Sequence, residues 1–229
     1  MPDLDLRVGL IRQVADGAYI KSRATRDGAQ TVQQLHGQFY EATLRAFKYV
    51  ASTGVGGTLF SSLAASGTGC FFALYNPRNS YTNVVLDKLF ISYTNGGANV
   101  SSVVGCLYHV IVPVVGAAPT GGTAITPQNS LIGGPAGIAT AFTGSGSGNV
   151  VVLNTAGTPY RPVGFTTVMT SASTQNPAII IDEVNGEIIL LPGMTWGLQL
   201  FASAATSSTA IYGVAISYEE VPSVSIAGG

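Results

Sequence analysis

Ionised side chains are scarce in this sequence: Asp, Glu, Lys and Arg make up 9% of its 229 residues, against roughly 25% in an ordinary soluble domain. Such a deficit suits either a chain that lives in lipid or a subunit whose surface is normally covered by neighbours. Long apolar runs, which lipid requires, are missing too, since no window of about 18 residues stays apolar without Gly, Pro, Asn or Ser breaking it. The opening stretch MPDLDLRVGLIRQVADG puts acids first and holds no signal-like apolar core. A subunit buried in an assembly, with no membrane partner, is therefore expected.

A basic excess is also absent. The net charge of −1 and pI near 6.1 leave no electrostatic footprint for a phosphate backbone, which excludes nucleic acid as a direct partner. Thiols are few. Cys70 and Cys106 lie in the apolar stretches GCFFAL and GCLYHV and read as small buried hydrophobes more readily than as a disulfide, in keeping with folding in a reducing cytoplasm. Imidazoles are limited to His36 and His109, and two histidines with two cysteines at these separations make no zinc spacing.

What charge there is sits at one end. Residues 1 to 48 hold seven of the ten basic side chains and five of the eleven acids, and no charged residue lies between Lys88 and Arg161. Residues 1–39 show no sustained period of 3.6 or 2 and contain the turn pairs Asp16-Gly17 and Asp27-Gly28. They read as an extended N-terminal arm, ordered because Val8, Leu10, Ile11, Tyr19 and Ile20 need burial that a short arm cannot supply itself.

Residues 40–229 form a second region. Short runs rich in β-branched and aromatic residues alternate there with Gly/Pro/Asn/Ser clusters, the pattern of an all-β, antiparallel sandwich or barrel. EATLRAFKYV fits a helical face through Tyr40, Leu44, Phe47 and Ala51, or a strand through Tyr40, Ala42, Leu44 and Ala46; the all-β context favours the strand. GCFFALYN, TNVVLDKLFISYT and VSSVVGCLYHVIVPV are the strongest strands, with Asp87 and Lys88 expected on opposite faces of the second. Asn95-Gly96-Gly97 reads as a hairpin turn. Residues 114–150 read as a long loop excursion with one short strand at IATAFTG. The last third reads as four antiparallel strands: an Asn185-Gly186 hairpin, a Pro192-Gly193 turn, and two strands joined by a Ser/Thr/Ala loop.

That closing pattern has further marks: Leu191-Pro192-Gly193 ends one strand, Trp196, Leu198 and Leu200 lie on the next, and Tyr218-Glu219-Glu220 ends the last. Together with the Tyr75-Asn76-Pro77 stop, it resembles the jelly-roll proteins of virus particles, in particular the decoration, cement and head-fibre subunits of tailed phages, over residues 40 to 221. The resemblance implies a jelly-roll-like β-sandwich and a role, not a reaction. Such subunits are often trimers or dimers; the chain would be a homo-oligomer, with a homotrimer expected, bound to the major capsid protein on the capsid exterior of a virion assembled in the host cytoplasm. The arm would be the capsid contact, through Arg7, Arg12, Lys21, Arg23 and Arg26. The alternative is a tail-fibre, spike or receptor-binding module that recognises a host surface glycan.

The residues offer little for catalysis, and no enzyme, cofactor or metal site is expected. His109 lies in an apolar strand, where a lone histidine is usually hydrogen-bonded in a core or at an interface. Asp182, Glu183 and Glu187 cluster around Asn185-Gly186; they resemble a glycosidase carboxylate pair or a weak calcium site less than a charged hairpin tip. No G-x-S-x-G elbow occurs, and GSGSG at 144–148 lacks the strand, helix and lysine of a phosphate cradle. Glu219 and Glu220 are expected to meet arginines of the arm or of a neighbouring subunit.

Overall fold

The computed structural model describes residues 40–53, 58–59, 69–96, 104–112, 115–144, 151–167, 179–202 and 210–222. The chain divides into two units, Met1–Tyr40 and Glu41–Gly229. The expected arm over 1–39, with Arg7, Arg12, Lys21, Arg23 and Arg26, lies outside the described residues, as does His36.

The described chain starts with one helical turn, α1 (Tyr40–Leu44). Fifteen strands follow: β1 (Lys48–Ser52), β2 (Thr58–Leu59), β3 (Gly69–Cys70), β4 (Phe72–Tyr75), β5 (Thr82–Gly96), β6 (Val104–Val112), β7 (Thr123–Ile125), β8 (Gln128–Asn129), β9 (Thr140–Thr143), β10 (Val151–Val152), β11 (Thr158–Thr167), β12 (Ile179–Glu183), β13 (Ile189–Leu190), β14 (Thr195–Ala202) and β15 (Ala210–Pro222). EATLRAFKYV is thus divided between helix and strand instead of being strand throughout. The helical turn closes as a Schellman motif. Ala46 takes the left-handed conformation (φ 59°) while the N–H groups of Ala46 and Phe47 bond the carbonyls of Thr43 and Ala42. An alanine in that conformation costs about 1–2 kcal/mol, and the Nδ2 of Asn129 secures the Ala46 carbonyl at 2.9 Å.

All pairings are antiparallel. Among the described residues one sheet is ordered β12-β5-β15-β1-β8, with β13 also on β5 and β2 also on β15. The second is ordered β11-β6-β14-β4-β9-β7, and β10 pairs β3 in a small ribbon. The two sheets pack into an all-β sandwich. Between them lies a core that includes Phe72, Leu74, Leu86, Leu89, Ile91, Leu107, Trp196, Leu198, Ile216 and Tyr218. The expected short strand inside 114–150 is β9, and that excursion also carries β7 and β8. Both cysteines are free thiols, and burial pushes the Cys70 thiol well above its ordinary range.

Consecutive strands do not pair as the turn signals suggest. β5 and β6 lie in different sheets, and Asn95 and Gly96 still belong to β5, opposite Ile211 and Ala210, so β5 and β6 do not form a hairpin. The last third does hold four strands in antiparallel pairings, but they do not pair with one another: β12, β13 and β15 belong to one sheet and β14 to the other. Nor does Asn185-Gly186 reverse the chain. β12 and β13 both run antiparallel to β5, Glu183 opposite Lys88 and Ile189 opposite Val85. The left-handed Asn185 (φ 49°) and Gly186 (φ 82°) form a local excursion closed by Glu187 N–H to the Val184 carbonyl at 3.0 Å. Opposite the excursion lies a β-bulge in β5. Lys88 faces Ser217 and Leu86 faces Tyr218, which leaves Asp87 as the extra residue. Its carbonyl accepts both the Val184 and Asn185 N–H groups, each at 2.8 Å. The bulge also turns Asp87 to the outer face with Lys88, not to the opposite face.

The Pro192-Gly193 turn is as expected. Gly193 has φ 84° and Met194 N–H bonds the Leu191 carbonyl at 3.0 Å, a type II turn. It is tied to the Asn76-Pro77 stop, because Gly193 N–H donates to the Asn76 carbonyl and buried Asn76 Nδ2 donates to the Thr82 and Leu190 carbonyls at 2.8 and 2.9 Å.

The sheets differ in how they are covered. Behind the second sheet Cys70, Ala73, Val110, Val112, Val151 and Leu153 make a second apolar cluster, so β6 is packed on both faces. Gly157 belongs to this cover. A Cβ there would stand 1.9 Å from Val110 Cγ1, so the chain approaches as closely as it does only because the side chain is absent.

Candidate functional site

Two places concentrate what the fold leaves available. The first is the seam where the edge strands β11 and β12 of the two sheets meet. β6 places His109 directly opposite Arg161 of β11 and Leu198 of β14. The imidazole is fully buried. Its Nδ1 accepts a hydrogen bond from Trp196 Nε1–H at 3.0 Å, and its Nε2 lies 2.6 Å from Asp182 Oδ2. Asp182 in turn takes both Arg161 guanidinium ends, Nη1 on Oδ1 at 2.9 Å and Nη2 on Oδ2 at 3.0 Å. Arg161 Nε stands 3.0 Å from Glu187 Oε2.

This chain of contacts determines the histidine's state. Indole N–H is a donor only, so Nδ1 must be bare and the proton must sit on Nε2, directed at Asp182. Protonating Nδ1 would set two N–H groups against each other. Burial lowers the His109 pKa below its ordinary value, and Asp182 pulls it upward with less effect. Burial disfavours the Arg161 charge, yet Asp182 and Glu187 hold its pKa above the ordinary value.

Chemically, both imidazole nitrogens are engaged and neither faces solvent, so His109 is a strut between the sheets. The three carboxylates near the excursion also have separate tasks: Asp182 turns inward to the seam, Glu183 pairs with Lys88 at 3.0 Å, and Glu187 meets Arg161. Asp182 is therefore not part of a charged hairpin tip. Among the described residues no group of three His, Cys, Asp or Glu could hold a metal ion, and no helix is long and apolar enough to cross a membrane.

The depressed pKa of His109 has a consequence for stability. A histidine with a lowered folded-state pKa contributes stability that is complete above the unfolded value of 6.5 and is lost as pH falls below it. The unfolding free energy is expected to decline below about pH 6.5 by up to about 1.4 kcal/mol per pH unit from this group. Urea titrations between neutral pH and pH 5 measure it. In His109→Gln, whose amide can still accept from Trp196 and donate to Asp182, the slope should flatten; an unchanged slope would show that another group carries it.

Two acids are placed differently from expectation. Glu220 is buried and its carboxylate accepts the N–H groups of Ile138 (2.8 and 3.0 Å) and Ala139 (2.8 Å), pinning the 131–139 loop to β15. Glu219 lies 3.9 Å from Lys48 Nζ. Lys48 is itself buried, bonded to Asp87 Oδ2 at 2.7 Å, and Ser217 Oγ donates to the same oxygen at 2.9 Å.

The second place is the outer face of the β12-β5-β15-β1 sheet. Towards its β12 edge it presents Ile179 at 65%, Ile181 at 56% and Ile189 at 53% exposure, with Leu191, Phe90 and Val50 also exposed. Ile181 faces Phe90 across the ladder. The charges beside them, Lys88 and Glu183, cancel each other. Isolated exposed apolar residues are ordinary, but a group of them on one sheet face points to an interaction surface.

No family model matches this chain, and comparison with curated proteins and with solved structures finds no match.

Proposed function

We propose that this chain is a jelly-roll structural subunit of a virus particle, of the decoration or cement type, which binds the outside of a tailed-phage shell beside further copies of itself. Strand order supports the fold. Counting β1, β4, β5, β6, β11, β12, β14 and β15 along the chain, the first, eighth, third and sixth are adjacent in one sheet and the second, seventh, fourth and fifth in the other. That order supports the reading of two Greek keys wound into one jelly roll.

The observation that carries the function is the exposed apolar face with its self-cancelled charges, on a chain with only 9% charged residues. Such a surface loses little on desolvation and gains by being covered. Interfaces of about 1,600 Å² hold stable complexes, and repetition over a lattice multiplies weaker contacts. The arm residues Arg7, Arg12, Lys21, Arg23 and Arg26 are the proposed capsid contact.

Cryo-electron microscopy of particles assembled with and without the protein tests this reading. Regular added density over the shell is expected, and it should be lost when these five residues are replaced by alanine. Density confined to the tail, or undiminished occupancy by the five-fold variant, counts against it. One feature favours the alternative of glycan recognition: Tyr81 is 77% exposed and held at φ 54°, three residues after the exposed Arg78, and residues held in strained backbone conformations cluster at functional sites. Robust binding on a glycan array without shell density would select that reading.

A further inference from the structure

We infer that two copies of this chain pair edge to edge through β12, joining their sheets into one continuous antiparallel sheet across a two-fold axis. The inference concerns the free protein and does not depend on the capsid reading. Among the described residues β12 pairs with β5 on one side and with no strand on the other. A free edge presents backbone N–H and C=O groups that only another extended segment satisfies in series.

The side chains select a second copy as that segment. The strand begins Ile179-Ile180-Ile181, a run that reads the same in both directions. With Ile180 opposite the partner copy's Ile180, each Ile179 falls opposite an Ile181. The exposed pair from each copy then forms one apolar cluster on the outer face, flanked by the two Phe90 rings that already face Ile181. Ile180 is half-buried against the core and Gly164, so it stays on the inner side and maintains the alternation.

Charge points the same way. Natural edge strands are protected by a lysine, a proline, a bulge or an inward-pointing charge; none lies within Ile179–Ile181, and the inward charge of Asp182 that follows is already matched by Arg161 and His109. Glu183, the exposed charge of β12, is already matched by Lys88 of its own chain at 3.0 Å. A like copy therefore brings no repulsion, while a strongly acidic or basic partner would find no counter-charge. Antiparallel edge pairing is isologous and closes at two copies, in contrast to the homotrimer expected from the sequence.

Light scattering coupled to size-exclusion chromatography on the full-length protein tests this. The native chain should elute at twice its 23.5 kDa mass. Ile179→Lys and Ile181→Lys, both at exposed positions, should each reduce it to the single-chain mass with an unchanged far-ultraviolet circular dichroism spectrum. Tyr160→Lys, on the exposed face of β11, should leave the dimer intact. A native monomer, a native trimer, or a dimer that survives both isoleucine substitutions overturns the pairing. Shell occupancy is measured separately, so loss of the dimer and loss of capsid binding remain distinguishable.

Discussion

Replacing Asp182 with alanine is expected to lower the unfolding free energy by about 3 kcal/mol, the lower end of the cost of breaking a buried ion pair. The loss has two parts. His109 would keep an Nε2–H with no acceptor in a fully buried position, which costs about 1–3 kcal/mol. Arg161 would lose its bidentate partner, but its side chain is 27% exposed and still lies near Glu187, so water recovers part of that contribution. For a chain of this length the melting temperature should fall by about 6–12 °C. Asp182→Asn retains an oxygen for His109 and should lose distinctly less. Urea unfolding followed by both circular dichroism and tryptophan fluorescence measures these differences. A change below about 0.5 kcal/mol in the alanine variant, the range of ordinary surface substitutions, would show that the seam contributes nothing.

Trp196→Ala is expected to cost about 3–5 kcal/mol, as usual for a large aromatic removed from a core. The indole is fully buried and lies edge-on to Phe72 with ring centroids 6.2 Å apart. It also delivers the N–H that keeps His109 Nδ1 bare. Trp196→Phe separates the two roles, since it preserves most of the packing and deletes only the donor. The pKa of His109 should then rise relative to the native protein, because the opposition to a proton on Nδ1 is gone. Nuclear magnetic resonance titration of the imidazole would detect this. An unmoved pKa would mean that burial alone sets it.

Much of the strand content was legible because alternation reports directly which residues face a core. β6, β9 and β14 lie inside the stretches that the pattern predicts, β5 overruns its stretch by Asn95 and Gly96, and Leu191-Pro192-Gly193 makes the turn that its residue types require. Pairing partners were not legible. Asn95-Gly96 and Asn185-Gly186 carry the same local signal, yet one still belongs to β5 and the other forms an excursion opposite a bulge. Positive φ permits a reversal without demanding one. The second outcome goes with Asp87, more than ninety residues before that pair, whose bulge no local pattern announces. The seam was equally hidden, because Trp196, His109, Asp182 and Arg161 sit on four different strands. One clue was available: Arg161 is the only charged residue between Lys88 and Asp182. A lone cation in so long a neutral stretch needs a specific partner. Glu220 gave no such hint, since a carboxylate held by backbone N–H groups needs no cation nearby in sequence or space.

The position of β15 has a consequence for biogenesis. This strand lies between β5 and β1, so the middle of one sheet is made by the strand that follows all the other described strands in sequence. Until it arrives, β1 and β5 share no neighbour, and the loop anchored by Glu220 has no anchor. The sandwich cannot close until β15 has been made, with slow closure of distant contacts and apolar strands open to aggregation in the interval.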